Sequence, residues 1–238
     1  MAANNETGVL QPWQDILELC RRHDVPFFCD AVQWIGKMPA AGLGQCDFVS
    51  GCAHKFGGPR GIGFLKCPSG VTVEPLIQGG HQEEGRRAGT ENVAGAVAMV
   101  TALEAREKAM QAGEQDRRAE WRTRFEREMM NRLPGSDVVG IRAARLWNTV
   151  SALMPEADCQ HRWVVKLDKL GFAVSTGSAC ASGREESSHV LTAMGISAAD
   201  ASRVLRFSSG WETTEEDWNK LLDGLEKVQA EVALPVKA

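Results

Sequence analysis

No stretch of the 238 residues approaches the roughly 20 consecutive apolar side chains that a membrane-spanning helix needs, so no membrane partner is expected. The chain opens without a basic start followed by an apolar run, and the expected location is cytoplasmic. A basic excess is also missing. Lys and Arg number 27 against 31 Asp and Glu, a formal net charge of −4, which offers no footing for nucleic acid. The cysteines Cys20, Cys29, Cys46, Cys52, Cys67, Cys159 and Cys180 form an odd set without CxxC spacing or paired histidines. That argues against a disulfide framework and against a zinc site, and no bound metal is expected. Internal repeats and low-complexity segments are absent.

What is present begins with enough apolar residues, 43%, for one good core or two small ones. The stretch Cys46 to Gly61, CDFVSGCAHKFGGPRG, runs from an apolar strand-like piece through small residues to His54 and Lys55, then into a Gly/Pro turn that cannot be helical. A lysine delivered by a strand end into such a bend is easily desolvated, which disfavours the ammonium and leaves an amine able to form a Schiff base. Lys55 is therefore a candidate anchor for pyridoxal phosphate, with a plain surface lysine beside a turn as the alternative. Upstream, Asp30 ends the short apolar run Val25 to Cys29, where an open α/β sheet presents binding groups, and Gln33 follows three residues later. An acidic residue at this place suits a pyridine nitrogen.

Along the chain, Gln11 to His23 reads as a helix with Trp13, Ile16, Leu17 and Cys20 on one face. Strands are expected over Val25–Cys29, around Phe48 and over Gly61–Cys67, the alternation of a mainly parallel sheet. Gly79 to Val93 is a polar loop that places Thr90 near a helix start, where free N–H groups attract anions; a solvated connector is the alternative. One long helix is expected from Val93 to about Leu133, with Val93, Ala96, Val97, Val100 and Leu103 on its apolar face and the charges from Glu104 to Glu128 solvated. Past Pro134-Gly135 a smaller unit follows: strand Trp147–Met154, helix Cys159–Leu170, strands Phe172–Ser175 and Val204–Ser208, and a helix to about Glu231 opened by a capping pattern at Thr213-Thr214. Cys180, between alanines in a Ser/Gly-rich loop, is expected to be exposed enough to react, with an ordinary free thiol as the alternative. Arg206, at a strand end, could pair bidentately with a carboxylate.

Six segments in order, NNETGVLQP (4–12), DAVQWIGK (30–37), AHKFGGPRGIG (53–63), GRRAGTENV (85–93), STGSACASG (175–183) and LRFSSG (205–210), resemble the class V aminotransferase superfamily and, within it, the cysteine desulfurases. The resemblance covers nearly the whole chain. It implies an α/β, fold-type-I pyridoxal phosphate transferase, with residues 1–105 forming the rest of the large, mainly parallel domain and 106–238 a small C-terminal domain. It further implies that Lys55 holds the cofactor and abstracts the substrate α-proton, with His54 beside it. Asp30 would meet the ring nitrogen, Gln33 and Asn5 the ring oxygen, and Thr90 the phosphate of a neighbouring subunit's cofactor in a homodimer. Asn5 and Arg206 would bind the substrate L-cysteine, Arg206 through its carboxylate. Cys180 would take the sulfur as a persulfide and pass it to an acceptor or scaffold protein for iron–sulfur or other thio-cofactor assembly.

The family's N-terminal portion, with its phosphate loop and ring-stacking histidine, is missing, so the resemblance implies a fragment. Another class V aminotransferase or lyase, or a catalytically incomplete piece, are the alternatives. Two departures stand out. Cys52 occupies the place of a phosphate-binding serine or threonine, a poor donor for which Ser50 could substitute. Trp211 stands where a second arginine is common.

Overall fold

The computed structural model describes residues 1–156, 160–176 and 188–232, with residues 160–162 described by backbone alone. The chain divides into two units: residues 1–3 with 11–114, and residues 4–10 with the part from Gln115 onward. The boundary expected at residues 105–106 lies inside a helix. No helix of the described residues is long and apolar enough to cross a membrane.

In the first unit, α1 (Trp13–Arg22) precedes β1 (Phe28–Asp30), β2 (Phe48–Cys52) and β3 (Gly63–Lys66). Asp15 in the first turn of α1 and Arg21 and Arg22 in its last turn complement the helix dipole. Trp13 and Leu17, one turn apart, are its buried residues, whereas Ile16 is exposed, so the apolar face is narrower than its periodicity suggests. Trp13 meets Trp34 edge-on at 5.6 Å between ring centroids. The sheet is mixed. β1 runs parallel to β2, with Asp30 opposite Ser50, and β3 returns antiparallel to β2. The loop that follows holds α2 (Gln82–Gly85), a single turn in which Glu83 and Glu84 carry positive φ.

The expected long helix is two: α3 (Val93–Gln111) and α4 (Glu114–Arg132), parted at Gly113 with φ 77°. That left-handed conformation ends a helix and favours glycine. Of the apolar face expected on α3, Ala96 and Leu103 are half-buried and the three valines are open. Val93, Val97 and Val100 are exposed, because nothing among the described residues covers them.

The second unit contains β4 (Asp137–Val138), β5 (Thr149–Leu153), α5 (Gln160–Lys169), α6 (His189–Ala193), α7 (Ala198–Ala201), β6 (Val204–Ser208) and α8 (Glu215–Val232). Its sheet has the order β4-β5-β6 and is antiparallel throughout. The strand expected over Phe172–Ser175 reduces to one bridge, Ser175 with Arg206. Trp218, Leu221, Leu222, Leu225, Val228 and Val232 recur every three or four residues along α8, and this stripe joins Trp163, Leu167, Phe125, Met129 and Phe207 in one core. The capping pattern is made: Asp217 N donates to Thr214 Oγ1 (3.3 Å) and Thr214 N to Asp217 Oδ2 (2.9 Å).

The charged run on α4 is not a uniformly solvated face. Arg118, Arg122 and Glu126 are buried. Arg145 Nη1 and Nη2 reach Glu126 Oε1 and Oε2 at 2.6 and 2.8 Å, and Arg122 Nη1 donates to the carbonyls of Arg145 (3.1 Å) and Leu146 (2.6 Å). Burial lowers the Arg122 pKa, an effect Glu126 opposes. Charges are kept here because they satisfy main-chain oxygens that the single Val9–Arg145 bridge of this segment leaves over.

Glu126→Ala should therefore leave two guanidinium groups facing each other without their acid, at a cost of about 3–5 kcal/mol. A denaturant titration would read this as a lower midpoint with unchanged slope. An unaltered midpoint would mean that solvent screens the cluster.

Candidate functional site

Because β1 and β2 are parallel, both deliver their last residues to the same end of the sheet, its carboxyl-terminal edge. Beyond β2 the chain enters a short 3-10 turn, Ala53–Lys55, closed by Phe56 N to Ala53 O (3.0 Å) and Gly58 N to Ala53 O (2.9 Å). Phe56 is fully buried, and Arg106 Nε of α3 donates to its carbonyl at 3.0 Å. The turn is thus pinned on both sides, leaving Lys55 half-buried and His54 exposed. His54 Nε2 lies 3.9 Å from Cys52 Sγ.

Beyond β1 the chain makes a second turn. Asp30 Oδ1 accepts from Val32 N at 3.0 Å, an Asx-type turn that orients the carboxylate. Gly36, with φ 76°, lies so close to Phe56 that a Cβ on it would stand 2.3 Å from Phe56 Cβ. Only glycine fits, and the contact fastens the Asp30 turn to the Lys55 turn. The next residue, Lys37, is 4% exposed, and its Nζ donates to Gln33 O (3.2 Å) and Gln33 Oε1 (3.0 Å). Burial first, and the Lys55 ammonium second, push Lys37 down from 10.5 to about 8. Burial also raises the Cys52 thiol, against the opposing pull of Lys55 and Lys37. Ser50 and Cys52, two residues apart on β2, share one face and are both half-buried.

The first unit therefore gathers Asp30, Gln33, Ser50, Cys52, His54 and Lys55. Thr90, also in this unit, is exposed and stands three residues before α3, whose N-terminus is capped by the Asn92 side chain accepting from Gly95 N at 2.9 Å.

The second unit brings together the other two expected residues. Arg206 Nη1 donates to the Asn5 carbonyl at 2.9 Å and Nη2 to Ser175 Oγ at 3.1 Å. The Asn5 loop is shaped by its neighbour: Asn4 Oδ1 accepts from Glu6 N (2.9 Å), Thr7 N (3.0 Å) and Thr7 Oγ1 (3.1 Å). Trp211 packs edge-on against Trp147 at 6.1 Å, with Arg118 5.4 Å over the Trp147 ring. Cys180 lies outside the described residues.

Sequence reasoning missed Lys37, Asn4 and Ser175. The Gln33–Lys37 spacing of four beside apolar Trp34 and Ile35, and the Asn-x-x-Thr order of the loop, were the available signals.

The donor set of the first unit fits pyridoxal phosphate. It offers a carboxylate with one oxygen engaged by Val32 N, a half-buried amine, a side-chain amide and a strand-end serine, all at one edge.

A family model described as Aminotransferase class-V matches residues 1–221. The chain is 40% identical over 230 residues to cysteine desulfurase IscS of Dictyoglomus turgidum, covering 96% of this chain and 58% of that one. It is 40% identical over 218 residues to a cysteine desulfurase of Klebsiella pneumoniae, covering 91% and 54%. Among solved structures, a NifS-like protein from Rickettsia africae superposes with a TM-score of 0.84 at 29% identity, covering 96% of this chain and 60% of the other. A structure of SspA in complex with cysteine gives 0.67 at 30%, covering 87% and 56%. The chain thus spans less than two thirds of the length of each of these proteins.

The Lys37 shift has a consequence for stability. Below about pH 8 folded and unfolded states both hold the proton, and folding bears the cost of a buried ammonium. Between about 8 and 10.5 the unfolded chain still holds a proton that the folded chain has released. Stability should rise with pH across that window, by about 3 kcal/mol in total. Comparing denaturant midpoints of wild type and Lys37→Met across it should show the rise in the wild type only; equal slopes would refute the burial of this charge.

Proposed function

The chain belongs to the class-V aminotransferase family, and we propose that within it the chain acts as a pyridoxal phosphate-dependent cysteine desulfurase, converting L-cysteine to L-alanine with sulfur passed to Cys180. The single observation that carries this reading is the locking of the Asp30 turn to the Lys55 turn through Gly36 and Phe56. An acid for a ring nitrogen and an amine for a carbonyl carbon are thereby held at one edge, whatever else moves. The names of the relatives, and the cysteine bound by SspA, support the choice of chemistry.

Bound pyridoxal phosphate supplies an electron sink for the pair released when a substrate α C–H bond breaks. The chain's own residues do the rest. Asp30, whose Oδ1 is engaged by Val32 N, would have its second carboxylate oxygen for a ring N–H and would favour protonation of that nitrogen. Gln33 and Asn5 serve the ring oxygen; Ser50, weakly aided by Cys52, serves the phosphate. Lys55 would hold the cofactor, and its amine would take the substrate α-proton, with His54 assisting the transfer. Arg206 pairs with the substrate carboxylate. The Cys180 thiolate would attack the substrate sulfur, an S–S bond forming as the C–S bond breaks with its electron pair left on the β-carbon; protonation of that carbon and return of a proton to the α-carbon would give alanine.

In the same reading the protein is a cytoplasmic homodimer in which Thr90 reaches the partner's phosphate. The persulfide is delivered to an acceptor or scaffold protein that builds iron–sulfur clusters or other thio-cofactors.

Adding pyridoxal phosphate, reducing with borohydride and mapping peptides should trap the cofactor on Lys55. Lys55→Ala should abolish both the adduct and sulfide release, whereas Cys180→Ala should keep the adduct and lose sulfide release by at least about 100-fold. Undiminished turnover in Cys180→Ala would instead identify a lyase or aminotransferase for another amino acid. An adduct scattered over surface lysines would remove the enzyme reading for this chain.

A hydroxyl is a stronger donor than a thiol, so Cys52→Ser should tighten cofactor binding several-fold, about the worth of one modest hydrogen bond. Spectrophotometric titration measures this directly. Unchanged or weaker binding would mean that position 52 does not meet the phosphate.

A further inference from the structure

Gln33 could offer a ligand either an oxygen or an NH2 group, because a half-turn of its amide exchanges the two at little steric cost. Which one is offered depends on what binds the other. In this protein the neighbour is Lys37, whose Nζ lies 3.0 Å from Gln33 Oε1 and 3.2 Å from the Gln33 carbonyl. An ammonium is a donor only, so it can meet the amide through oxygen alone.

We propose that Lys37 is a positioning residue that takes the oxygen of the Gln33 amide and so presents the Gln33 NH2 group, as a donor, to an acceptor oxygen of the ligand.

Three further observations bear on this. Lys37 is 4% exposed, and a methionine or leucine would fill such a site without the cost of burying a cation. It follows directly on Gly36, which packs so closely on Phe56 that no side chain fits between them, so the ammonium is carried by a packed turn. Both of its contacts with Gln33, one to main chain and one to side chain, come from the same nitrogen, which restrains the glutamine at its backbone and at its amide together. A ligand served by an NH2 donor at this place carries an electron-rich oxygen. The identification of that oxygen as the ring oxygen of pyridoxal phosphate rests on the function proposed above; the orientation of the amide does not.

The first arm of the test uses cofactor-free protein. Side-chain amide resonances of Gln33, assigned with Gln33→Leu, should appear as one resolved NH2 pair in the wild type and should broaden or double in Lys37→Met, with the thermal unfolding transition still cooperative. The second arm titrates pyridoxal phosphate into wild type, Lys37→Met, Gln33→Leu and the double variant. Each single variant should bind about tenfold more weakly, the scale of one hydrogen bond to a charged oxygen, and the double variant no more weakly than either.

Losses that multiply in the double variant, or unchanged Gln33 resonances in Lys37→Met, would overturn the proposal, since a merely structural lysine would lower stability without coupling to Gln33. Wild type that holds its amide in one orientation but binds no pyridoxal phosphate would support the Lys37–Gln33 relation and sink the cofactor reading instead.

Discussion

The contact between Gly36 and Phe56 is the constraint on which the candidate site depends. Two parallel strands bring Asp30 and Cys52 to one edge, but strands fix only where their last residues lie. The chain leaves β1 and β2 through irregular turns, and turns on a sheet edge are free to drift unless something ties them. Here the tie is a close backbone approach, with no room for even a methyl group. Phe56 adds a second anchor, since its ring is fully buried while its carbonyl is held by Arg106. Lys55 precedes this anchor and Lys37 follows its glycine partner, so both lysines inherit their positions from one contact. That explains why two ammonium groups can be kept near each other: the geometry is set by packing, and the charge responds by shifting, Lys37 downward to about 8.

The same division of labour recurs in the second unit with arginine in the place of packing. Irregular segments there carry carbonyls that no strand or helix satisfies, and planar guanidinium groups reach them. Arg118 serves Gly210, Trp211 and Thr213, Arg122 serves Arg145 and Leu146, Arg203 serves Met154, and Arg206 serves Asn5. A guanidinium carries five donors in one plane and stays charged when buried, so a single side chain can bracket several main-chain oxygens. Arg206 is therefore not a free cation awaiting a carboxylate. It already orders the Asn5 loop, and any substrate carboxylate would join an existing set of bonds.

The features legible in the sequence were those whose signal is local. The strand end at Asp30, the turn after β2 that carries Lys55, the capping pair Thr214 and Asp217, and the stripe of α8 each depend on residues within a turn or two of one another. Burial set by distant partners was not legible. Arg118, Arg122 and Glu126 look like a solvated helix face, because nothing in their own spacing tells of carbonyls some 20 to 95 residues away. The valines of α3 failed in the opposite direction: their periodicity describes a face that needs covering, and periodicity cannot say by what. Lys37 went unread because a lysine beside a glycine has the look of a surface turn. It is nevertheless buried, next to a glycine that meets Phe56, twenty positions further along.

Cys52 shows how the local electrostatics limit what a substitution can do. If this strand end serves a phosphate, as proposed, a thiolate there would repel it, and the nearby Lys37 and Lys55 ammonium groups both favour that thiolate. Burial outweighs them and raises the thiol, so the group stays protonated and neutral at ordinary pH. The exchange of a hydroxyl for a thiol therefore weakens one donor without introducing a charge. Ser50, on the same face of β2, keeps a true hydroxyl at the edge. On the proposed reading, attraction of a phosphate to this strand end rests on Lys37 and Lys55, whose charge a protonated thiol at position 52 does not offset.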